Sequence, residues 1–178
     1  FPSPQDEMLR IYDSVGYAMN LSNVPFITYG GEEDPQLLAS ELMQEEAKLA
    51  ETPLEMIVGP KMGHKFDPES EKTFQAFLAK HNQAGRPLPG ERTSLRFATW
   101  TLKYNQCDWL TIEEQTEPYE RSTVESNLDG ETLRLETLNV SAMSVDRGVA
   151  NQISIDKSDP VDLNAAGGGL LPDVIFVQ

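Results

Sequence analysis

The sequence predicts an α/β segment followed by an all-β one, on three observations. Two short apolar runs, 24–29 and 54–58, flank an amphipathic stretch, which is the pattern of a strand, helix and strand. Beyond residue 90 the hydrophobic period changes to two, the period of half-covered strands. Between the patterns lies Gly85-Arg86-Pro87-Leu88-Pro89-Gly90, whose glycines and prolines interrupt regular structure. The boundaries that follow are 1–85 for the α/β part, 91–160 for a β-rich accessory part, and 161–178 for a linker with a terminal strand.

The run Val24-Pro25-Phe26-Ile27-Thr28-Tyr29 reads as a strand covered on both faces, as parallel strands are, and so does Leu54-Glu55-Met56-Ile57-Val58. Residues 35–52 read as the connecting helix, since Leu37, Leu38, Leu42 and Leu49 recur at near-helical spacing and Pro53 closes the run. A second helix follows, with Phe74, Phe77 and Leu78 on one face and His81 in its last turn, where a cation is favoured by the helix dipole. The stretches 95–102, 109–112, 121–125, 132–137, 141–145 and 152–155 read as strands with one covered face. Asp129-Gly130 marks a hairpin turn between two of them. Short antiparallel strands at this spacing imply a small β-sandwich or open barrel. Trp100, Tyr104, Trp109 and Tyr119 read as its core in preference to a sugar-stacking platform. Asn164 to Gly169 is linker-like, and 173–177 is a last strand.

Each apolar run of the α/β part runs into a glycine-rich loop that carries chemistry. The first is Tyr29-Gly30-Gly31-Glu32-Glu33-Asp34-Pro35 and the second is Gly59-Pro60-Lys61-Met62-Gly63-His64. Two parallel strands joined by a crossover helix bring their carboxyl-end loops side by side, so Asp34 and His64 are expected to meet despite their distance in sequence. A carboxylate on one ring nitrogen fixes the tautomer, and the other nitrogen can then take a proton from a hydroxyl. Gly30, Gly31, Gly59 and Gly63 are expected to supply backbone freedom for sharp strand exits. The bland readings are that Asp34 merely caps the helix after Pro35 and that His64 is a surface histidine bound to backbone.

On these residues the segment 12–64 resembles the end of an α/β-hydrolase catalytic domain of the prolyl oligopeptidase and acyl-esterase type. There a phrase like Asn23-Val24-Pro25-Phe26 followed by glycine carries the acid, and a Gly-His pair like Gly63-His64 carries the base. The resemblance implies a partial α/β-hydrolase parallel sheet, Asp34 as triad acid, His64 as triad base, and a peptide or ester substrate. Three acids stand together in 32–34, so Glu33 is the rival to Asp34. The nucleophile should precede both residues in chain order. No serine here stands in a Gly-x-Ser-x-Gly turn, and the near candidates Ser14 and Ser22 fall in or beside a helix. The expectation is therefore a carboxyl-terminal piece of a serine hydrolase, inactive alone, whose partner is the missing amino-terminal portion or a second copy. The rival class is a non-catalytic interaction or glycan-binding module.

Composition narrows the partners. A net charge of −15 with a pI near 4.4 opposes binding to nucleic acid or to an anionic membrane surface. The single cysteine, Cys107, excludes an internal disulfide and a cysteine-built zinc site, and no other cofactor or metal motif is evident. Asp156, Asp159 and Asp162 lack the glycine and closing glutamate of a calcium loop. The compartment is left open, leaning to a secreted or periplasmic one.

Overall fold

The computed structural model describes residues 4–52, 54–88, 91–146, 148–163 and 173–177. They form two compact units, Ser14–Arg86 and a second built from Phe1–Asp13 with Pro87–Gln178. The expected linker at 164–169 and Pro53 lie outside the described residues.

In the first unit a 3₁₀ segment, Ser14–Asn23, leads into β1 (Ile27–Gly31), α2 (Leu37–Leu49), β2 (Glu55–Gly59) and α3 (Pro68–Ala84); α1 (Pro4–Arg10) belongs to the other unit. Strands β1 and β2 pair in parallel, from Ile27 opposite Glu55 to Gly31 opposite Gly59. Helix α2 makes the crossover. It packs on β1 and the 3₁₀ segment, burying Ala47 fully, and its end is turned by Glu51 at a φ of 52°. The start of α3 is strongly encoded: Asp67 accepts the amides of Glu69 and Ser70 at 3.1 and 3.0 Å, and Pro68 takes the first helical position. Its end is equally clear, with Gly85 at a φ of 72° giving its amide to the His81 carbonyl.

The second unit holds β3 (Arg96–Thr99), β4 (Gln106–Cys107), β5 (Leu110–Glu114), β6 (Ser122–Asp129), β7 (Thr132–Leu138), β8 (Ala142–Asp146), β9 (Gln152–Ile155), β10 (Val161–Asp162) and β11 (Asp173–Val177). Five form one sheet in the order β10-β9-β7-β6-β3, and four form another, β11-β8-β5-β4. The β6–β7 hairpin turns through Gly130 and Glu131, with Gly130 at a φ of 62°, the region for which such tight turns select glycine. Alternation along β7 buries Leu133 and Leu135 while Arg134 and Glu136 face water. Those leucines join Phe97, Val124 and Ile153 of their own sheet and Leu110, Ile112, Met143 and Val145 of the other in one core. Leu133 is fully buried there, so Leu133→Ala should cost about 2–5 kcal/mol. Urea unfolding followed by tryptophan fluorescence measures this, and a loss below about 1 kcal/mol would remove Leu133 from the core.

The expected fold class is corrected. A partial α/β-hydrolase parallel sheet beside a small antiparallel β-sandwich or open barrel is not what forms. The described residues are mixed α/β, with three α-helices and most of their strands in antiparallel or mixed sheets. Parallel pairing is limited, among the described residues, to β1–β2 and β7–β9. The physical reason lies in the two apolar runs. Val24, Phe26 and Val58 stay 53, 42 and 42 % exposed, so these runs are not covered on both faces as inner strands would be. In the β unit, period-two patterning sets which side chains are buried but not the direction of the neighbour, and β9 lies parallel to β7. The aromatics also divide. Trp109 is in the core with its Nε1 donating to the Arg92 carbonyl, whereas Tyr104 and Tyr119 are exposed.

Candidate active site

The loops after β1 and β2 are stitched together by backbone. The Glu32 amide donates to the Gly59 carbonyl at 2.9 Å and the Glu33 amide to the Met62 carbonyl at 2.8 Å. The Lys61 amide in turn donates to the Glu32 carboxylate at 2.7 Å, and Lys61 itself sits at a φ of 55°. Gly31 makes this approach feasible. A Cβ there would strike the carbonyl oxygens of Met62 and Gly63.

Across this seam His64 Nδ1 lies 2.8 Å from Asp34 Oδ2. The other carboxylate oxygen, Oδ1, accepts the Gln36 amide at 2.9 Å, so both oxygens of Asp34 are held. Of the three acids in 32–34, Asp34 is the one on the ring: Glu32 takes the Lys61 amide, and Glu33 contributes its own amide to the seam. The helix begins later than its sequence pattern suggests. Gln36 is its cap residue without a side-chain bond, and Asp34 instead spans the Gln36 amide and the imidazole.

The Gln36 amide first, and the His64 ring next, hold the Asp34 carboxyl below the ordinary carboxylate range. An ionised carboxylate is an acceptor only, so Nδ1 must carry the proton of this bond. In the neutral ring Nε2 is then a bare lone pair. The His64 side chain is 78 % exposed against 9 % for Asp34, and Nε2 has no partner among the described residues. A fixed, half-buried orienting carboxylate and an outward-facing basic nitrogen are what a general base needs.

Beside the pair opens a cavity of about 520 Å³, a volume in the range of ligand sites. One wall is aromatic. Tyr29 stacks on Phe66 at 4.0 Å between ring centres, Phe66 meets Phe74 of α3 at 5.3 Å, and the Tyr29 hydroxyl donates to the Lys65 carbonyl at 2.8 Å. The opposite wall is of small side chains, Ala39 and Ser40 of α2. The two aliphatic hydroxyls that line the cavity, those of Thr28 and Ser40, are bonded to each other at 2.9 Å. His81 lies away from this wall, its ring 4.5 Å from that of Phe77.

The sequence identified the pair but not the aromatic wall. Its signal was present, in Phe66 two residues after His64 and Tyr29 at the end of the first apolar run. No group of three or more metal-ligating side chains occurs among the described residues, and none of their helices is long and apolar enough to cross a membrane. No protein-family model matches the chain, and neither a curated protein nor a solved structure matches it significantly.

A pH dependence follows from the carboxylates. Asp67 is also held below the ordinary range, by Ser70 through its side chain and its amide. A depressed folded-state value means stability that is full above the unfolded value and lost as pH falls through the lower folded one. Stability should therefore decline below about pH 4. The double change Asp34→Asn, Asp67→Asn should flatten that decline, and urea midpoints between neutral and acid pH measure it; an unchanged acid limb would count against both carboxylates.

Proposed function

We propose that Asp34 and His64 are the acid and base of a serine hydrolase that cleaves a peptide or ester bond. The serine comes from a further portion of hydrolase polypeptide outside the described residues. The observation that carries this reading is the 2.8 Å contact of Nδ1 with a carboxylate fixed on its far oxygen, with Nε2 turned to solvent. In the reaction Nε2 removes the proton of the attacking hydroxyl while Asp34 stabilises the imidazolium that results. The same proton then passes to the leaving amine or alcohol. Water repeats the cycle on the acyl intermediate. The likeness of 12–64 to prolyl oligopeptidase and acyl-esterase hydrolases supports the assignment through residue order and spacing, and not through the sheet.

Fluorophosphonate labelling tests the proposal. The chain by itself should not be labelled, because Thr28 and Ser40 are turned to each other and neither is bonded to His64. With the serine-bearing polypeptide present, labelling of that serine should occur and His64→Ala should abolish it. Stoichiometric labelling of a serine in this chain would refute an outside nucleophile, and labelling untouched by His64→Ala would remove His64 from the reaction.

A further inference from the structure

Four consecutive residues of β1, Ile27, Thr28, Tyr29 and Gly30, line the same cavity. Successive strand residues point to opposite faces, so one cavity can touch all four only by running along the strand's edge. It is the edge away from β2, since no residue of β2 lines the cavity and β2 is the one strand paired with β1 among the described residues. The floor of the cavity is thus strand backbone. Its walls differ, with Phe66 and Phe74 on one side and Ala39 and Ser40 on the other.

A backbone floor between unlike walls fits an extended peptide. Main-chain hydrogen bonds to the strand edge supply affinity, and side chains of alternate residues fall to opposite walls and supply specificity. Charge narrows the choice further. The net charge is −15, and Glu32 and Glu33 stand exposed in the loop that leaves β1, so an acidic peptide is repelled and a basic one attracted.

We propose that the substrate of the Asp34–His64 site is an extended, neutral or basic peptide laid along the free edge of β1, with an apolar or aromatic side chain against Phe66 and Phe74. This rests on the reading of Asp34 and His64 as acid and base, and selects peptide over ester within it. His64 lines the same cavity, which sets the scissile bond beside Nε2. The aromatic wall is already partly open to a ligand: Phe66 is 40 % exposed although it stacks on Tyr29.

Binding to the chain itself tests the inference, without any need for turnover. The probe is a five-residue peptide, acetylated and amidated, with lysine at both ends, phenylalanine second and fourth, and serine between. Titration calorimetry should show binding, and the amide resonances of 27–31 should shift. Methylating the backbone nitrogens of the probe, or replacing its lysines by glutamate, should weaken binding about tenfold or more. Phe66→Ala should do the same, and the methylated probe covers the case in which that variant fails to fold. Equal binding of the methylated probe, absence of binding, or shifts confined to other residues would overturn the edge-binding proposal. Binding that persists while His64→Ala spares labelling in the serine-bearing assembly would sink the hydrolase reading and leave the groove; the reverse pattern would sink the groove alone.

Discussion

Asp34→Asn is expected to lower kcat about 10⁴-fold in an assembly that carries the serine, with the far-ultraviolet circular dichroism of the chain unchanged. The asparagine oxygen can still accept the Gln36 amide that Asp34 Oδ1 accepts now, so the loop keeps its shape. The atom facing the ring at 2.8 Å then becomes an amide nitrogen, a donor in place of an acceptor. It drives the imidazole to the tautomer protonated on Nε2. That nitrogen can no longer take a proton from a hydroxyl. The cause can be seen in the chain alone, because nitrogen-15 spectra distinguish the two tautomers. Wild type should show the proton on Nδ1 and Asp34→Asn should show it on Nε2. An unchanged tautomer with an unchanged rate would mean that the carboxylate only braces the loop.

Gly31→Ala should be the most damaging single methyl group in the first unit. Its Cβ would meet the carbonyl oxygens of both Met62 and Gly63, and the Met62 carbonyl carbon at 2.7 Å, and none of these can rotate aside. The two loops must separate, at a cost of about 1–3 kcal/mol for such overpacking. Separation also draws His64 from Asp34, so the Nδ1 tautomer signature should fade in the same variant. Gly63→Ala is the matched control. Nothing lies within 4 Å of a Cβ there, and the change should stay within about 0.5 kcal/mol of wild type. Equal stability of the two variants would show that the seam is not the close contact described.

These glycines also show how far the sequence could be read. Gly31 and Gly59 stood out as strand exits, yet neither has a positive φ; each is needed for the room a side chain would occupy. At Gly59 the obstacle is the Tyr29 hydroxyl, a contact between strands that no local pattern encodes. The meeting of Asp34 and His64 was legible because a parallel strand, helix and strand unit fixes where its loops emerge, whatever surrounds it. The extent of the sheet was not. Val24, Phe26 and Val58 are as apolar as buried strand residues, and hydrophobicity alone does not say whether a neighbour arrives to cover them. Six of the strands of the β unit were readable from alternation and turn signals. The placing of β9 parallel to β7, with β8 between them in sequence but in the other sheet, depends on core packing among distant residues.

The interleaving of the two units has a consequence for synthesis. Ser14–Arg86 lies between the two stretches that form the other unit. A ribosome therefore delivers the whole strand, helix and strand unit before it has made β3, whose partner β6 comes later still. The loops of Asp34 and His64 can close on contacts already present, while the β unit waits for pairings of long sequence separation, the slow kind to form. A chain released after residue 86 should carry the paired carboxylate and imidazole with no strand of the second unit made.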